Sequence, residues 1–353
     1  MKIAIAGGGI GGLTLAGLLD KRRHEVVVVE QAAAFGEVGA GVLISANGVR
    51  VLSQLGLDQP MKRCGTLSDR MLIRRWQNDA ELMEVPMGAE PEKRWGFPNY
   101  TFYRPDIIDM LSQCLTGAEL RLDARVAAVE HSSDGASLQL ESGGSIEADI
   151  VIGADGTHSQ VRESVYGAHP SRYSGYVGYR VLIPSERLEG LSVDTNNRIG
   201  PDGHVVSYFI GENQAFFNVV FITLESEWAE ESWTALGSLS ALRDAFEGWS
   251  EPLQLILSQV EDPVYRWALH DREPLSTWQL GRVTLLGDAA HPVLPFMAQG
   301  ASQAIEDAAV LSRCLNRINE PLAAIARYEA IRKPRTDRIQ HRSRINFFHK
   351  WKK

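Results

Sequence analysis

The hydrophobic and polar positions of this chain change period several times. Lys2 to Ala6 is a short apolar run, Leu13, Leu15, Ala16, Leu18 and Leu19 recur at helical spacing, and Glu25 to Val29 is apolar again before Glu30. Strand, helix and strand are predicted in turn, the alternation expected of a parallel sheet with helices on its faces. Two more apolar runs end in turns that carry an aspartate. Ile146 to Ile152 runs into Gly153-Ala154-Asp155-Gly156, and Val283 to Leu286 runs into Gly287-Asp288. Beyond Asp288 a turn through Pro292 and Pro295 reaches Gly300, where Ala304, Ile305, Ala308 and Leu311 place one apolar face on a predicted helix. Helices are also predicted from Gly48 to Leu55 and from Pro105 to Cys114, with a strand pair around Met71 to Val85 between them. Strands follow at Ala124 to Glu130 and Ala136 to Glu141.

From about Tyr173 to Trp267 the pattern becomes mostly period two. Strands are predicted at Val177 to Ile183, His204 to Ile210 and Ala215 to Phe221, with one helix at Leu239 to Trp249. The fold class expected is α/β, a Rossmann-like nucleotide-binding domain with a smaller, antiparallel-sheet-rich domain. The first is discontinuous, residues 1–172 with 268–353; the second covers 173–267, and the 70–100 strand pair is expected to pack against it. Tyr176, Tyr179, Tyr208, Phe209, Phe216 and Phe217 are candidates to line an apolar pocket there.

Composition narrows the function. With 36 Lys plus Arg against 44 Asp plus Glu, the formal charge of -8 argues against nucleic acid as the main partner. The three cysteines, Cys64, Cys114 and Cys314, have neither metal-ligand nor disulfide spacing, which suits a reducing, cytoplasmic setting. No metal site and no membrane partner are expected. The glycines at 7 to 9 interrupt what could pass for a signal peptide. The basic segment from Arg332 to Lys353 reads as a partly solvated terminal helix, and a monomer or homodimer is expected.

Gly7-x-Gly9-x-x-Gly12 lies between the first strand and its helix, with Gly11 inside it, and Glu30 ends the next strand. The spacing suits a dinucleotide: Gly7 turns the chain, Gly9 lets backbone approach a pyrophosphate, Gly12 allows close packing, and Glu30 accepts from ribose hydroxyls. It does not separate FAD from NAD. Gly39-Ala40-Gly41 precedes an apolar strand, so a flat ring could approach the backbone there, or the segment could be a plain turn. Arg104 stands before Pro105 at a helix start, where its fork could reach phosphate or ribityl oxygens. Asp288 faces the start of the next helix, whose unpartnered N–H groups make Met297 to Ala301 a place to hold negative charge; Asp288 could equally be a helix cap.

Taken together, GGGIGG, DIVIGADGTHSQVR and RVTLLGDAAHPVLPFMAQGA resemble the fingerprints of the single-component FAD-dependent aromatic hydroxylases, the family of salicylate hydroxylase and 4-hydroxybenzoate hydroxylase. The resemblance implies non-covalent FAD, with Asp288 on the ribityl chain and Pro295 against the flavin where oxygen reacts. It places Ala298, Gln299, Gly300 and Ala301 beside the isoalloxazine, with Gly39, Ala40 and Gly41 bordering it. Arg104 and Asp155 are implied as further FAD contacts. The chain ends earlier than the resemblance would suggest. The implied activity is an NAD(P)H-dependent monooxygenase: NADH or NADPH reduces the flavin and leaves, molecular oxygen adds at flavin C4a, and the hydroperoxide passes its distal oxygen to a small aromatic or N-heteroaromatic substrate. A phenol needs activation, for which Tyr208 and His204, four apart on one strand, are the candidates, although a histidine near a strand start is more often at the surface. Leu43 stands where some relatives carry a histidine. Two other classes remain open: a flavin oxidase or dehydrogenase that inserts no oxygen, and a non-catalytic nucleotide-sensing module.

Overall fold

The computed structural model describes residues 1–19, 21–36, 40–188, 190–225 and 235–345. Among them, a six-stranded sheet runs in the order Gln279–Leu280, Val283–Leu285, Ile150–Gly153, Lys2–Ala6, Glu25–Val29, Ala118–Arg121, parallel except for its first pair. Ile3, Ile5, Val28, Ile150 and Ile152 are fully buried, as near-continuous apolar strands covered on both faces require. The register sets Ala6 beside both Val29 and Gly153, and Gly153 beside Leu285. The turns that follow, carrying Gly7, Glu30, Asp155 and Asp288, therefore emerge on one edge of the sheet. That carboxyl edge, where the strand order reverses around Lys2–Ala6, is where open α/β sheets bind ligands.

The apolar run Ile146 to Ile152 is two strands rather than one. Ser145–Ala148 joins Ala136–Leu140 and Val126–His131 in an antiparallel sheet, whereas Ile150–Gly153 enters the parallel one. Asp149 is the pivot: its N–H donates to the Lys2 carbonyl at 2.9 Å, and its Oδ2 accepts from the Lys2 N–H at 2.7 Å.

The eight-stranded sheet runs Leu236–Gly237, Val264–Asp271, Arg172–Pro184, Phe216–Leu224, Gly203–Ile210, Thr195–Ile199, Arg70–Arg75, Glu81–Pro86. It is antiparallel except where Thr195–Ile199 lies parallel to Arg70–Arg75. Its period-two pattern gives it two unlike faces. Val177, Tyr179, Val205, Phe209, Phe217, Val219 and Phe221 form a core with Leu242, Leu253 and Ile256 of the helices Leu239–Ala245 and Glu251–Ser258 and with Phe246, just past the first of them. These are two helices where one was expected, separated at Gly248, whose φ of 74° lies in the left-handed region that favours glycine. The opposite face carries Arg180, Asn197, His204, Val206, Tyr208, Val220 and Ile222 around a cavity. Of the six aromatics expected to line a pocket, only Tyr208 does. Tyr179, Phe209 and Phe217 face the helices, Tyr176 packs against Phe296, and Phe216 lies against Tyr103.

The terminal helix Pro321–Arg344 is partly solvated, as its composition suggests, although Arg332, Thr336, Gln340 and Ser343 are buried. No helix among the described residues is long and apolar enough to cross a membrane.

Candidate active site

At the carboxyl edge of the parallel sheet, Gly7 adopts φ 111°, and a Cβ there would lie 2.3 Å from the Ala154 carbonyl oxygen. Around Gly9, by contrast, nothing lies within 4 Å of a Cβ position, so a ligand can lie directly on the backbone. Gly12 and Gly11 serve packing: their Cβ atoms would fall 2.0 Å from the Gly7 carbonyl oxygen and 2.5 Å from Leu286 Cδ2. The Glu30 carboxylate accepts from the N–H groups of Gly8 at 2.7 Å and Ala32 at 2.9 Å, which fixes the loop and leaves further lone pairs for ligand hydroxyls.

The two aspartate turns are tied together. Asp155 Oδ2 accepts from the Val161 N–H at 3.1 Å, and the buried Arg162 donates to the carbonyls of Thr157 at 2.6 Å and Ala289 at 2.9 Å. Burial pushes the Asp155 carboxyl up against the lowering effects of Ser159 and Arg162. Asp288 is exposed to the cavity, and desolvation by the surrounding protein raises its carboxyl, opposed by His291. A carboxylate so placed is costly to keep ionised unless donors meet it.

The cavity measures about 500 Å³ and lies between the turn from Asp288 to Ala301, the strand Gly41–Ile44 and the open face of the eight-stranded sheet. Pro295–Met297 forms a short 3-10 turn, Ala298 takes a left-handed φ of 49°, and the helix Gly300–Arg317 starts directly after Gln299. Its first intrahelical acceptor serves Gln303, at 2.9 Å from the Gln299 carbonyl, so the N–H groups of Gly300 to Ser302 have no partner within the helix. Ala40, Gly41 and Leu43 line the same space. The Arg104 N–H donates to the Ala40 carbonyl at 2.9 Å while its side chain is exposed. Gly39 lies outside the described residues. A bare backbone at Gly9, carboxylates at the strand ends and the helix start beside an apolar cavity fit a dinucleotide whose ring enters that cavity. Among the described residues no side-chain cluster suits a metal.

Across from that turn stand His204 and Tyr208, two strand repeats apart on one face, with 2% and 7% of their surfaces exposed. His204 is therefore not the surface residue its position suggested. Burial pushes its imidazole down to about 3, so it is neutral at ordinary pH and suited to share a hydrogen bond. Burial raises the Tyr208 phenol, an effect that Arg180 partly opposes. Gly41 and Tyr208 are close: a Cβ on Gly41 would lie 2.6 Å from Tyr208 Cε2, and the Gly41 N–H donates to Asn218 Oδ1 at 2.9 Å.

Two features of this wall escaped the sequence reading. Arg180 interrupts an otherwise apolar strand and sets its guanidinium 5.3 Å from the Trp267 ring centre; burial lowers it, as does Arg104. Thr195 and Asn197 belong to a strand too polar to be read as one.

Beneath the turn lies a buried ionic network. Asp307 Oδ2 accepts from the Gly287 N–H at 3.0 Å and meets His291 Nε2 at 2.5 Å, while Oδ1 accepts from Arg332 Nε at 2.6 Å. Burial alone would raise the Asp307 carboxyl, but His291 and Arg332 outweigh it and hold it below its ordinary value. Arg332 also donates to Gln303 Oε1 at 2.8 Å, Gln303 to Gln299 Oε1 at 3.0 Å, and Gln299 to Ser45 Oγ at 3.0 Å. The network thus anchors both ends of the segment from Gly287 to Gln299.

Residues 1–343 match the family described as FAD binding domain. The chain is 39% identical over 346 residues to 3-amino-4-hydroxybenzoate 2-monooxygenase PtmB3 of Streptomyces platensis, covering 97% of this chain and 87% of that one. It is 34% identical to 6-hydroxynicotinate 3-monooxygenase of Bordetella bronchiseptica, covering 98% and 91%. Among solved structures, Klebsiella pneumoniae HpxO complexed with FAD and uric acid superposes with a TM-score of 0.85 at 28% identity, over 98% of this chain and 87% of that one.

Proposed function

The chain belongs to the family of that FAD binding domain and, with its relatives, to the flavoprotein aromatic monooxygenases; we propose that it hydroxylates a phenol or hydroxylated N-heteroaromatic ring held against Tyr208. The observation that carries this reading is the meeting of Asp288 and the start of the Gly300–Arg317 helix with His204 and Tyr208 in one cavity. A flavin enzyme that inserts no oxygen is not favoured, since the relatives are named as monooxygenases.

In this reading Gly7, Gly9, Gly11, Gly12 and Glu30 hold the ADP half of FAD, and Arg104 and Asp155 serve its middle. Asp288 takes ribityl hydroxyls, and the ring lies between Ala40 and Gly41 on one side and Pro295 to Ala301 on the other. Bound FAD supplies hydride acceptance from NADH or NADPH and the activation of oxygen. The chain's own residues do the rest. The helix start favours negative charge at the ring edge. Val206, Val220 and Ile222 exclude water, and Tyr208, neutral because it is buried, donates to the substrate oxygen while Arg180 favours an anion there. His204, also neutral, can accept a hydrogen bond but is a weak base.

Purified protein is expected to be yellow, to release all its flavin on acid precipitation, and to oxidise NADH or NADPH faster when aminophenols or hydroxypyridines are added. Colourless protein that FAD cannot reconstitute would overturn the reading.

Asp288→Ala removes a charge-assisted acceptor worth about 1.5 to 3 kcal/mol, so FAD affinity should fall roughly ten- to a hundred-fold. Asp288→Asn, which keeps an acceptor, should lose less. Titration of apoprotein with FAD measures both, and unchanged affinity would leave Asp288 a helix cap only.

A further inference from the structure

The strand Thr195–Ile199 is polar along its length, yet it lies inside the eight-stranded sheet between Gly203–Ile210 and Arg70–Arg75. Its alternation sends Thr195 and Asn197 to the cavity, in the same wall as Met71, Val206 and Val220. Register places Asn197 opposite Val206, midway between His204 and Tyr208. Diagonal neighbours across such a pair are within reach of one aromatic ring. Thr195 is fully buried, and neither its Oγ1 nor Asn197 Oδ1, both buried atoms, has a hydrogen-bond partner. Buried polar atoms are ordinarily paired, and each exception calls for a reason. Here the two atoms are oxygens two positions apart on one face of the strand, and what they have in common is the ability to accept.

We propose that Thr195 and Asn197 form a substrate subsite that selects rings bearing a second hydrogen-bond donor, an amino or ring N–H group, besides the hydroxyl that Tyr208 meets. The inference rests on the reading of this cavity as the place of a phenolic substrate, and it adds the residues that discriminate among such rings. Selection of this kind is strong in one direction. A ring lacking the donor leaves both oxygens unmet, whereas a purely apolar wall would barely distinguish an amino group from a methyl of the same size. Arg180 and Tyr208 meet the acidic side of the substrate, and Thr195 and Asn197 meet its donor side, so the ring is fixed in rotation as well as in place.

The test uses FAD-loaded enzyme and two ligands of equal shape, 3-amino-4-hydroxybenzoate and 3-methyl-4-hydroxybenzoate. Binding is read from the change in flavin absorbance, and turnover from NAD(P)H oxidation. The native enzyme should bind the amino ligand at least about ten-fold more tightly. In Asn197→Leu that ratio should fall towards one, chiefly by loss of affinity for the amino ligand, and Thr195→Val, which keeps the shape of the side chain, should lower it in part. Retained FAD shows that each variant is folded. Equal binding of the two ligands by the native enzyme, or an undiminished ratio in both variants, overturns the subsite and leaves the phenol reading intact. If neither ligand alters the flavin spectrum or stimulates NAD(P)H oxidation, the phenol reading falls and the subsite falls with it.

Discussion

Arg332→Met is expected to destabilise the protein by about 3–5 kcal/mol, the usual cost of removing one partner from a buried ion pair. Arg332 donates to Asp307 Oδ1 at 2.6 Å and to Glu306 Oε2 at 2.5 Å. Asp307 is completely buried, so without Arg332 its charge loses one of the partners that oppose desolvation, leaving His291 and the Gly287 N–H among the others. The pH dependence follows from the lowered Asp307 carboxyl. Its stabilisation is present above the unfolded-state pKa and is lost as pH falls through the folded one. Arg332→Met moves that folded value up, so acid unfolding should begin at higher pH than in the native protein. A second substitution separates stability from function. Arg332→Met with Asp307→Leu removes both charges and should recover much of the thermal midpoint. It should not recover FAD affinity, because the Gly287 N–H that holds the Asp288 turn stays without its acceptor. A double variant that binds FAD as the native protein does would show the network to be structural only.

Why the sequence exposed some of this and concealed the rest is a matter of range. The strands ending at Gly7, Glu30, Asp155 and Asp288 were legible because each is a local apolar run closed by glycine or a carboxylate, and parallel register then brings their ends together. His204 and Tyr208 were legible as a pair because strand alternation fixes their common face. Arg332 was not, since its partner Asp307 lies 25 residues away on another helix and nothing in a basic, weakly periodic tail announces it. Thr195 and Asn197 were hidden for the same reason. Their strand is held by Arg70–Arg75, more than a hundred residues earlier, and its polar side chains suit the cavity rather than any local rule. Asp149 shows the limit of periodicity itself. Glu147 and Asp149 interrupt the stretch from Ile146 to Ile152, yet neither reveals that its halves belong to different sheets.

The largest functional effect is expected at Tyr208. Its ring lies within the sheet face that roofs the cavity, and its hydroxyl is near Gly41, where a Cβ would fall 2.7 Å away. Tyr208→Phe removes that hydroxyl and little else: the ring remains, and the contacts at Asp288, Pro295 and the start of the Gly300–Arg317 helix are untouched. Reduction and hydroxylation should therefore separate. NAD(P)H oxidation should continue, while a substrate whose oxygen no longer receives the Tyr208 hydrogen bond is poorly held for hydroxylation, and hydrogen peroxide should accumulate in place of product. Loss of one positioned acid-base group typically costs about a hundred- to ten-thousand-fold in the step it serves. Product formed per NAD(P)H consumed is the sensitive quantity, measured with peroxide in parallel. Since burial raises the Tyr208 phenol, it stays protonated at ordinary pH, and coupling in the native enzyme should not titrate with it across the neutral range. Tyr208→Phe enzyme that remains fully coupled at an unchanged rate would exclude this role. His204, which burial keeps neutral and which stands two strand repeats away on the same wall, would then be the group to substitute next.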